Sequence, residues 1–126
     1  MSDWTNEELA SIGSAEELRI ASLRPDGSQR PYVRIWVVRV GDDLYVRSAY
    51  GPDNPWFRRA VASGRGRVKA GGLEPAVTFV HVGDEVMDAV DAAYHAKYDR
   101  YGARIVGTVV GPKTWPLTLR LLPRQD

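Results

Sequence analysis

The sequence contains no cysteine among its 126 residues. This absence excludes disulfide scaffolds, cysteine-ligated metal sites and thiol catalysis. No apolar run is long enough to span a membrane, and the first residues, from Met1 to Trp4, do not have the pattern of a secretory signal peptide. We therefore expect a cytoplasmic protein without a membrane partner. With 44% hydrophobic residues, residues 1–126 are expected to form one domain with its own core.

Metal ligands and catalytic motifs are also scarce. The two histidines, His81 and His95, lie on separate predicted elements with no thiol near either, so we expect no metal site. The sequence has no phosphate-binding P-loop, no nucleophile elbow and no three-glycine dinucleotide motif. No residue is identified as catalytic. Any redox activity would have to come from a bound cofactor or a metal.

The net charge is +1, but basic and acidic residues are unevenly distributed along the chain. Residues 30–69 contain nine basic and three acidic residues, and eight of the nine basic residues are arginine. Arginine suits bidentate recognition of phosphate or carboxylate, but such residues also commonly form only solvated surfaces. The pI near 8.1 and the absence of a recognition motif argue against a nucleic-acid partner. An anionic small molecule is the partner that this pattern favours.

The local patterns predict an α+β fold that is mainly β. Thr5 and Glu8 have the spacing of a capping box and predict a helix over 5–12. A second short helix is predicted over 56–62, after Pro55, and a longer one over 84–101. Strands are predicted over 32–40, 44–49, 67–70, 76–82, 104–110 and 114–122, with a looser alternation over 17–23. Six or seven strands without regular helix alternation predict an antiparallel barrel flanked by two to three helices.

The Gly41-Asp42 pair predicts the register of a hairpin. A two-residue loop there places Val40 opposite Asp43, and further along it places Val37 opposite Val46. One face of the hairpin would then be apolar. The other would mix cations and rings, since it carries Trp36 and Arg47 among its residues.

Arginine, tryptophan and tyrosine interleave between Arg30 and Trp56, and a Gly/Pro loop follows the second strand. A cofactor with a flat ring and a phosphate tail needs guanidinium groups, exposed loop amides and apolar rings. An alternative is that Trp36 and Arg47 form only a cross-strand cation–ring pair. The candidate phosphate-binding residues are Arg30, Arg47, Ser48, Arg58 and the Gly51 loop, and the candidate ring-binding residues are Trp36, Pro55 and Trp56.

Over nearly its whole length the chain resembles the uncharacterised domain-of-unknown-function family 2255. The stretches that carry this resemblance are Trp36-Val37-Val38, Leu44-Tyr45-Val46-Arg47-Ser48, Trp56-Phe57-Arg58 and Ala93-Tyr94-His95-Ala96-Lys97-Tyr98.

More distantly, residues 27–68 resemble the deazaflavin-dependent nitroreductases, which share the FMN-binding split barrel with pyridoxamine phosphate oxidases. The matching positions are Gly27, Arg30, Ser48, Gly51, Asn54, Pro55 and Trp56. The chain departs from that pattern in two ways: Arg58-Arg59 replaces the family's Asn-Leu, and Pro31 comes earlier than the family's proline. The phosphate site could therefore be rebuilt from arginines, or the cofactor could have been lost.

The resemblance implies a homodimeric split barrel that binds FMN or a deazaflavin at the subunit interface and acts as a small, nitroreductase-like oxidoreductase. Tyr94, Lys97 and Tyr98, on the late helix, would then border the substrate side. Tyrosines at helical spacing are also typical of a core or a dimer contact. The alternative function is a binding or structural module with the same barrel and no cofactor.

Overall fold

A computed structural model describes residues 4–124 of the chain. Residues 1–3, which entered the prediction about a signal peptide, and residues 125–126 lie outside the described residues. The described part has an α+β fold with one seven-stranded antiparallel sheet. The helices are α1 (Asn6–Gly13), α2 (Pro55–Ser63), α3 (Met87–Tyr98) and α4 (Ala103–Val106), and the strands are β1 (Leu18–Ser22), β2 (Val33–Ile35), β3 (Val38–Val40), β4 (Asp43–Arg47), β5 (Arg65–Lys69), β6 (Ala76–His81) and β7 (Thr118–Pro123).

The first two helices begin and end where the local sequence predicts. At the start of α1, the Glu8 N–H donates to Thr5 Oγ1 at 3.1 Å and the Thr5 N–H donates to Glu8 Oε1 at 2.9 Å. This reciprocal pair satisfies two amide donors that a helix start leaves free. Helix α2 starts at Pro55 and is capped by Gly64, whose φ of 71° is left-handed. The predicted helices over 5–12 and 56–62 are confirmed.

The sheet must curl because its two edge strands are consecutive in the sequence. The spatial order is β2-β1-β5-β6-β7-β4-β3, so β2 and β3 lie at opposite edges. Only Trp36 and Val37 separate the end of β2 from the start of β3, and such a short link spans at most about 11 Å. The two edges therefore come close together, and the sheet forms a barrel with a gap at this link.

The single strand predicted over 32–40 is wrong, because the chain leaves one edge of the sheet at Trp36 and joins the other at Val38. The predicted hairpin register is confirmed where β3 pairs with β4: Val40 lies opposite Asp43 and Val38 opposite Tyr45. The predicted extension of this pairing through Val37 is wrong, since β3 begins only at Val38.

Apolar side chains form two clusters, one on each side of the sheet. The inner cluster draws on strands across the whole sheet and is closed by residues of α1 and α2 such as Leu9 and Phe57. The outer cluster lies between the β3–β4 hairpin and α3, and it includes Val38, Tyr45 and Tyr98. The part of the predicted mixed face that lies on β3 and β4, with Val38, Tyr45 and Arg47, is therefore buried under α3, because that helix carries its own apolar stripe.

Two strands predicted in the late part of the chain differ from those in the structure. Helix α3 lies within the predicted range 84–101, flanked by 3-10 turns at Asp84–Val86 and Asp99–Tyr101. The strand predicted over 104–110 is wrong, because residues 103–106 form α4. A short apolar run fits either element by periodicity alone. The strand predicted over 114–122 begins later, at Thr118, because Pro112–Leu117 forms a 3-10 turn containing two prolines.

Candidate ligand-binding site

A cleft of about 300 Å³ opens beside the gap of the barrel. We call it the tryptophan cleft, because Trp36 and Trp56 both line it. Its volume is at the lower end of the range for sites that bind small molecules. The other lining residues are Glu17, Val33, Arg34, Ile35, Arg47, Ala49, Tyr50, Asn54, Ile105, Thr108 and Val109.

Both tryptophan rings are held in place by aromatic neighbours. The Trp36 ring stacks on that of Tyr98, with centroids 3.9 Å apart and planes 5° apart. The Trp56 ring packs edge-on against Phe57, with centroids 5.9 Å apart. Stacked and edge-to-face pairs are both favourable ring geometries. The cleft therefore has two flat apolar groups whose positions do not depend on a ligand.

The loop that follows β4 forms one rim of the cleft and is held by its own side chains. The Ser48 hydroxyl donates to the Gly51 carbonyl oxygen at 2.6 Å, and the Asn54 amide donates to the Ala49 carbonyl oxygen at 3.3 Å. Tyr50 has a φ of 65° and a residue exposure of 82%. A left-handed backbone costs a residue with a side chain about 1–2 kcal/mol. Strain at an exposed aromatic residue on a cleft is typical of functional sites.

The predicted phosphate ligand Arg47 lies in the protein interior. Its guanidinium group donates to Asp91 Oδ1, to the Val109 carbonyl oxygen at 2.8 Å and to Thr118 Oγ1 at 2.8 Å. The residue is 2% exposed. These bonds connect β4 to α3, to the segment after α4 and to β7.

Sequence reasoning did not identify Asp91 as the partner of this buried cation. The Asp91 carboxylate also accepts hydrogen bonds from the Gly111 N–H and Trp115 Nε1, both at 3.3 Å. Asp91 lies directly after Val90, which belongs to the apolar stripe of α3. A carboxylate beside that stripe was the one indication in the sequence that Asp91 pairs with a cation, since a charge near a core requires a partner.

A larger groove, with a volume of about 1000 Å³, lies along α2. We call it the arginine groove, because five arginines and no carboxylate line it. Three of the predicted site residues meet there, namely Arg30, Pro55 and Arg58. The sequence analysis did not include the remaining arginines among the site residues: Arg59 lies next to the predicted Arg58, whereas Arg24 and Arg65 come from distant parts of the chain.

A small cavity shares Trp56 with the lining of the cleft and Arg30 and Arg59 with the lining of the groove. Its volume is about 10 Å³, which is enough for about one water molecule. Arg30 Nε is buried and has no hydrogen-bond partner among residues 4–124. Leaving a buried donor of a charged group without a partner costs at least about 1–3 kcal/mol. Arg30 is one of the residues that line this cavity, and its unpartnered donor is a candidate for binding water or an anion.

The three residues expected on the substrate side lie outside both the cleft and the groove. Tyr94 and Tyr98 are fully buried in the outer cluster, and burial raises the pKa of both hydroxyls. The Lys97 amine donates to the carbonyl oxygens of Gly13 at 2.9 Å and Val37 at 2.7 Å. Burial lowers the pKa of this amine to about 8. These side chains hold α3 against the gap of the barrel.

No group of three or more histidine, cysteine, aspartate or glutamate side chains within residues 4–124 could hold a metal ion. No helix in the described part is long and apolar enough to cross a membrane.

The model of a protein family described as uncharacterized proteins conserved in bacteria, DUF2255, matches residues 8–121. The chain belongs to the DUF2255 family. This confirms the resemblance that the sequence stretches around Trp36, Arg47, Trp56 and Tyr94 indicated. A comparison with curated protein sequences finds no match.

Solved structures show which fold this DUF2255 member has. A protein of unknown function from Agrobacterium tumefaciens is 14% identical with a TM-score of 0.68, over 91% of this chain and 51% of that one. This chain therefore spans about half the length of that protein. A protein from Listeria innocua assigned as a pyridoxamine 5′-phosphate oxidase is 16% identical with a TM-score of 0.61, over 95% and 93% of the two chains.

A third solved structure is an FAD-binding protein from Mesorhizobium loti. It is 18% identical with a TM-score of 0.54, over 97% of this chain and 91% of that one. At these identities the likeness concerns the fold. The DUF2255 chain has the α+β split-barrel fold that the sequence predicted.

Proposed function

We propose that this DUF2255 protein binds a flavin-type nucleotide, FMN or a deazaflavin, in the tryptophan cleft and acts as a small oxidoreductase. The observation that carries the proposal is the pair of tryptophans, Trp36 and Trp56, on a cleft of about 300 Å³ in a split barrel. A bound flavin or deazaflavin supplies hydride transfer, and the protein supplies binding and orientation. The FAD-binding relative with the same fold supports this cofactor class.

The cleft suits the flat ring system of such a cofactor. Two of the residues predicted to bind its phosphate group are already engaged by the protein. The partly exposed Trp36 ring provides apolar surface for a planar ring system, whereas Trp56, which is 6% exposed, contributes only a small part of the wall. The Arg47 guanidinium and the Ser48 hydroxyl already bind protein groups. We therefore propose Arg34 as the phosphate-binding residue of the cleft, because it lines the cleft next to Val33.

The side chains of the cleft suit orientation more than proton transfer. Glu17 and Tyr50 are the titratable groups at its rim besides the arginines, and Glu17 Oε1 lies 3.8 Å from Arg34 Nη1. Tyr50, with its strained backbone, would cover the ring system and exclude water. The alternative is a module without a cofactor that uses the same barrel to bind another ligand.

We also propose that the protein is a homodimer and that a second copy covers the tryptophan cleft. Val33 and Ile105 line this cleft and are 38% and 46% exposed. Exposed apolar residues grouped around a cleft are typical of an interface. The measurement is the mass of the particle in solution, and Ile105→Arg is expected to shift it from dimer to monomer.

The experiment that tests cofactor binding is a titration of the purified protein with FMN and with a deazaflavin, followed by cofactor fluorescence. We expect Trp36→Leu and Arg34→Gln each to weaken binding about tenfold, which corresponds to about 1.4 kcal/mol. The matched control for charge is Lys113→Gln, because Lys113 is exposed and lines neither the cleft nor the groove. Absence of binding below about 1 mM, equivalent to about 4 kcal/mol, would contradict the cofactor proposal and favour the module without a cofactor.

A further inference from the structure

We propose that the arginine groove is a second binding site, separate from the tryptophan cleft, for a small organic diphosphate. This site does not depend on flavin binding. The groove and the cleft share no lining residue. The two sites therefore take separate ligands.

The charge of the groove favours an anionic ligand. The side chains of Arg58, Arg59 and Arg65 form no hydrogen bond or ion pair within residues 4–124. No carboxylate lines the groove to neutralise them. Like charges that lie close together repel, and an anion in the groove removes this repulsion. Guanidinium groups bind phosphate through paired N–H donors.

The cations of the groove lie on two walls. Arg58 and Arg59 project from α2 on one wall. Arg24 and Arg65 form the other wall, where the Leu23 N–H donates to the Arg65 carbonyl oxygen at 3.1 Å. One phosphate group commonly engages one or two guanidinium groups. Four cations on two walls of a groove of about 1000 Å³ therefore favour two adjacent phosphate groups over one.

One wall is already ordered before any ligand binds. The Arg24 guanidinium donates to the Gln29 carbonyl oxygen at 3.1 Å and to Ser28 Oγ at 3.3 Å. The Ser28 N–H in turn donates to Asp26 Oδ1 at 2.9 Å, and this carboxylate does not line the groove. A side chain held in this way loses less conformational entropy when it binds an anion.

The groove also has surface for the organic part of a ligand. The groove also contains apolar side chains, including Leu23, Pro55 and Val61, which can bind the organic part of a diphosphate. Its aromatic residue, Phe57, is 6% exposed and offers no free ring for stacking. Proteins that bind single-stranded nucleic acid stack the bases on exposed aromatic rings. The groove therefore favours a small molecule over a nucleic acid.

The experiment is calorimetric titration of the full chain, without flavin, with inorganic phosphate, pyrophosphate and ADP at low and moderate salt. We expect pyrophosphate to bind about tenfold or more tightly than phosphate, and ADP to bind at least as tightly as pyrophosphate. The double variant Arg58→Gln/Arg59→Gln is expected to weaken pyrophosphate binding at least about tenfold. The matched control, Arg104→Gln/Lys113→Gln, removes the same charge at exposed positions outside the groove and is expected to change binding less than about twofold.

Three results would overturn the proposal. Equal affinities for phosphate and pyrophosphate would show that the groove does not recognise two adjacent groups. Equal losses in the two double variants would show that binding depends on the overall charge alone. A single-stranded oligonucleotide that binds more tightly than ADP and needs Arg58 and Arg59 would assign the groove to nucleic acid. Because no flavin is present, none of these results depends on the proposed cofactor site.

Discussion

The hydroxyl group of Tyr98 closes the gap in the barrel by bonding to the backbone of Val37. It accepts a hydrogen bond from the Val37 N–H at 3.2 Å, and it lies 3.1 Å from the Val37 carbonyl oxygen and 2.9 Å from that of Glu16. Val37 lies between the two edge strands and belongs to neither. A side chain of α3 therefore replaces the hydrogen bonds that a neighbouring strand would supply at this point.

Tyr98→Phe should destabilise the protein by about 1–3 kcal/mol, because it leaves the buried Val37 N–H without its partner. The Trp36 ring can still stack on phenylalanine, so the variant isolates the effect of the hydroxyl group. The measurement is the free energy of unfolding in urea. The control is Tyr101→Phe. The Tyr101 hydroxyl bonds to Glu16 at an exposed position, so its loss should lower the free energy of unfolding by less than about 1 kcal/mol. Equal effects of the two variants would contradict this account of the gap.

Asp91→Asn should destabilise the protein by about 3 kcal/mol, because it leaves the buried Arg47 cation without its counter-charge. The measurement is again urea unfolding. Asp88→Asn, at an exposed position on the same helix, is the control and should have little effect. The double variant Arg47→Met/Asp91→Asn should cost clearly less than the sum of the two single variants. Additive effects would show that the two side chains do not stabilise one another.

The stability of the protein should rise with pH between about 8 and 10. Burial lowers the pKa of the Lys97 amine from 10.5 to about 8. Over this interval the unfolded chain binds a proton that the folded protein has lost, and stability rises with pH wherever the unfolded state binds more protons. Above this range the tyrosine hydroxyls of the unfolded chain begin to lose their protons, whereas burial keeps the hydroxyls of Tyr94 and Tyr98 protonated in the folded protein. This difference lowers the stability of the protein as the pH rises further. Lys97→Met should remove this rise in stability. An unchanged pH profile in that variant would show that another titratable group causes the rise.

Tyr50→Asn should leave the free energy of unfolding unchanged or raise it by about 1 kcal/mol. Asparagine tolerates the left-handed backbone that Tyr50 adopts at φ 65°, and the exposed ring of Tyr50 contributes little packing. If Tyr50 covers a bound flavin, as proposed, the same variant should bind FMN less tightly. Thermal unfolding and the fluorescence titration measure the two effects separately. A variant that loses stability and keeps its affinity would contradict both expectations.

Several features follow from the sequence because they depend on neighbours a few residues away. Thr5 and Glu8 determine where α1 starts, and Pro55 and Gly64 determine where α2 starts and ends. The loop at Gly41 sets the hairpin register. Local hydrogen bonds and backbone angles act over a few residues, so these features could be predicted. The alternating patterns likewise predicted an antiparallel barrel with flanking helices, because burying one face of a strand requires a period of two.

The tertiary structure decided the direction of Arg47 and the composition of the arginine groove. Arg47 points inward because Asp91, 44 residues away, supplies a carboxylate on α3. Arg24 and Arg65 join Arg58 because β1 and β5 pair beside α2. The break between β2 and β3 at Trp36 and Val37 also depends on a distant residue, because the Tyr98 hydroxyl that bonds to Val37 lies 61 residues away in the sequence. Such contacts depend on which distant surfaces pack together, and the burial of a charge or a backbone amide is decided only when its partner arrives.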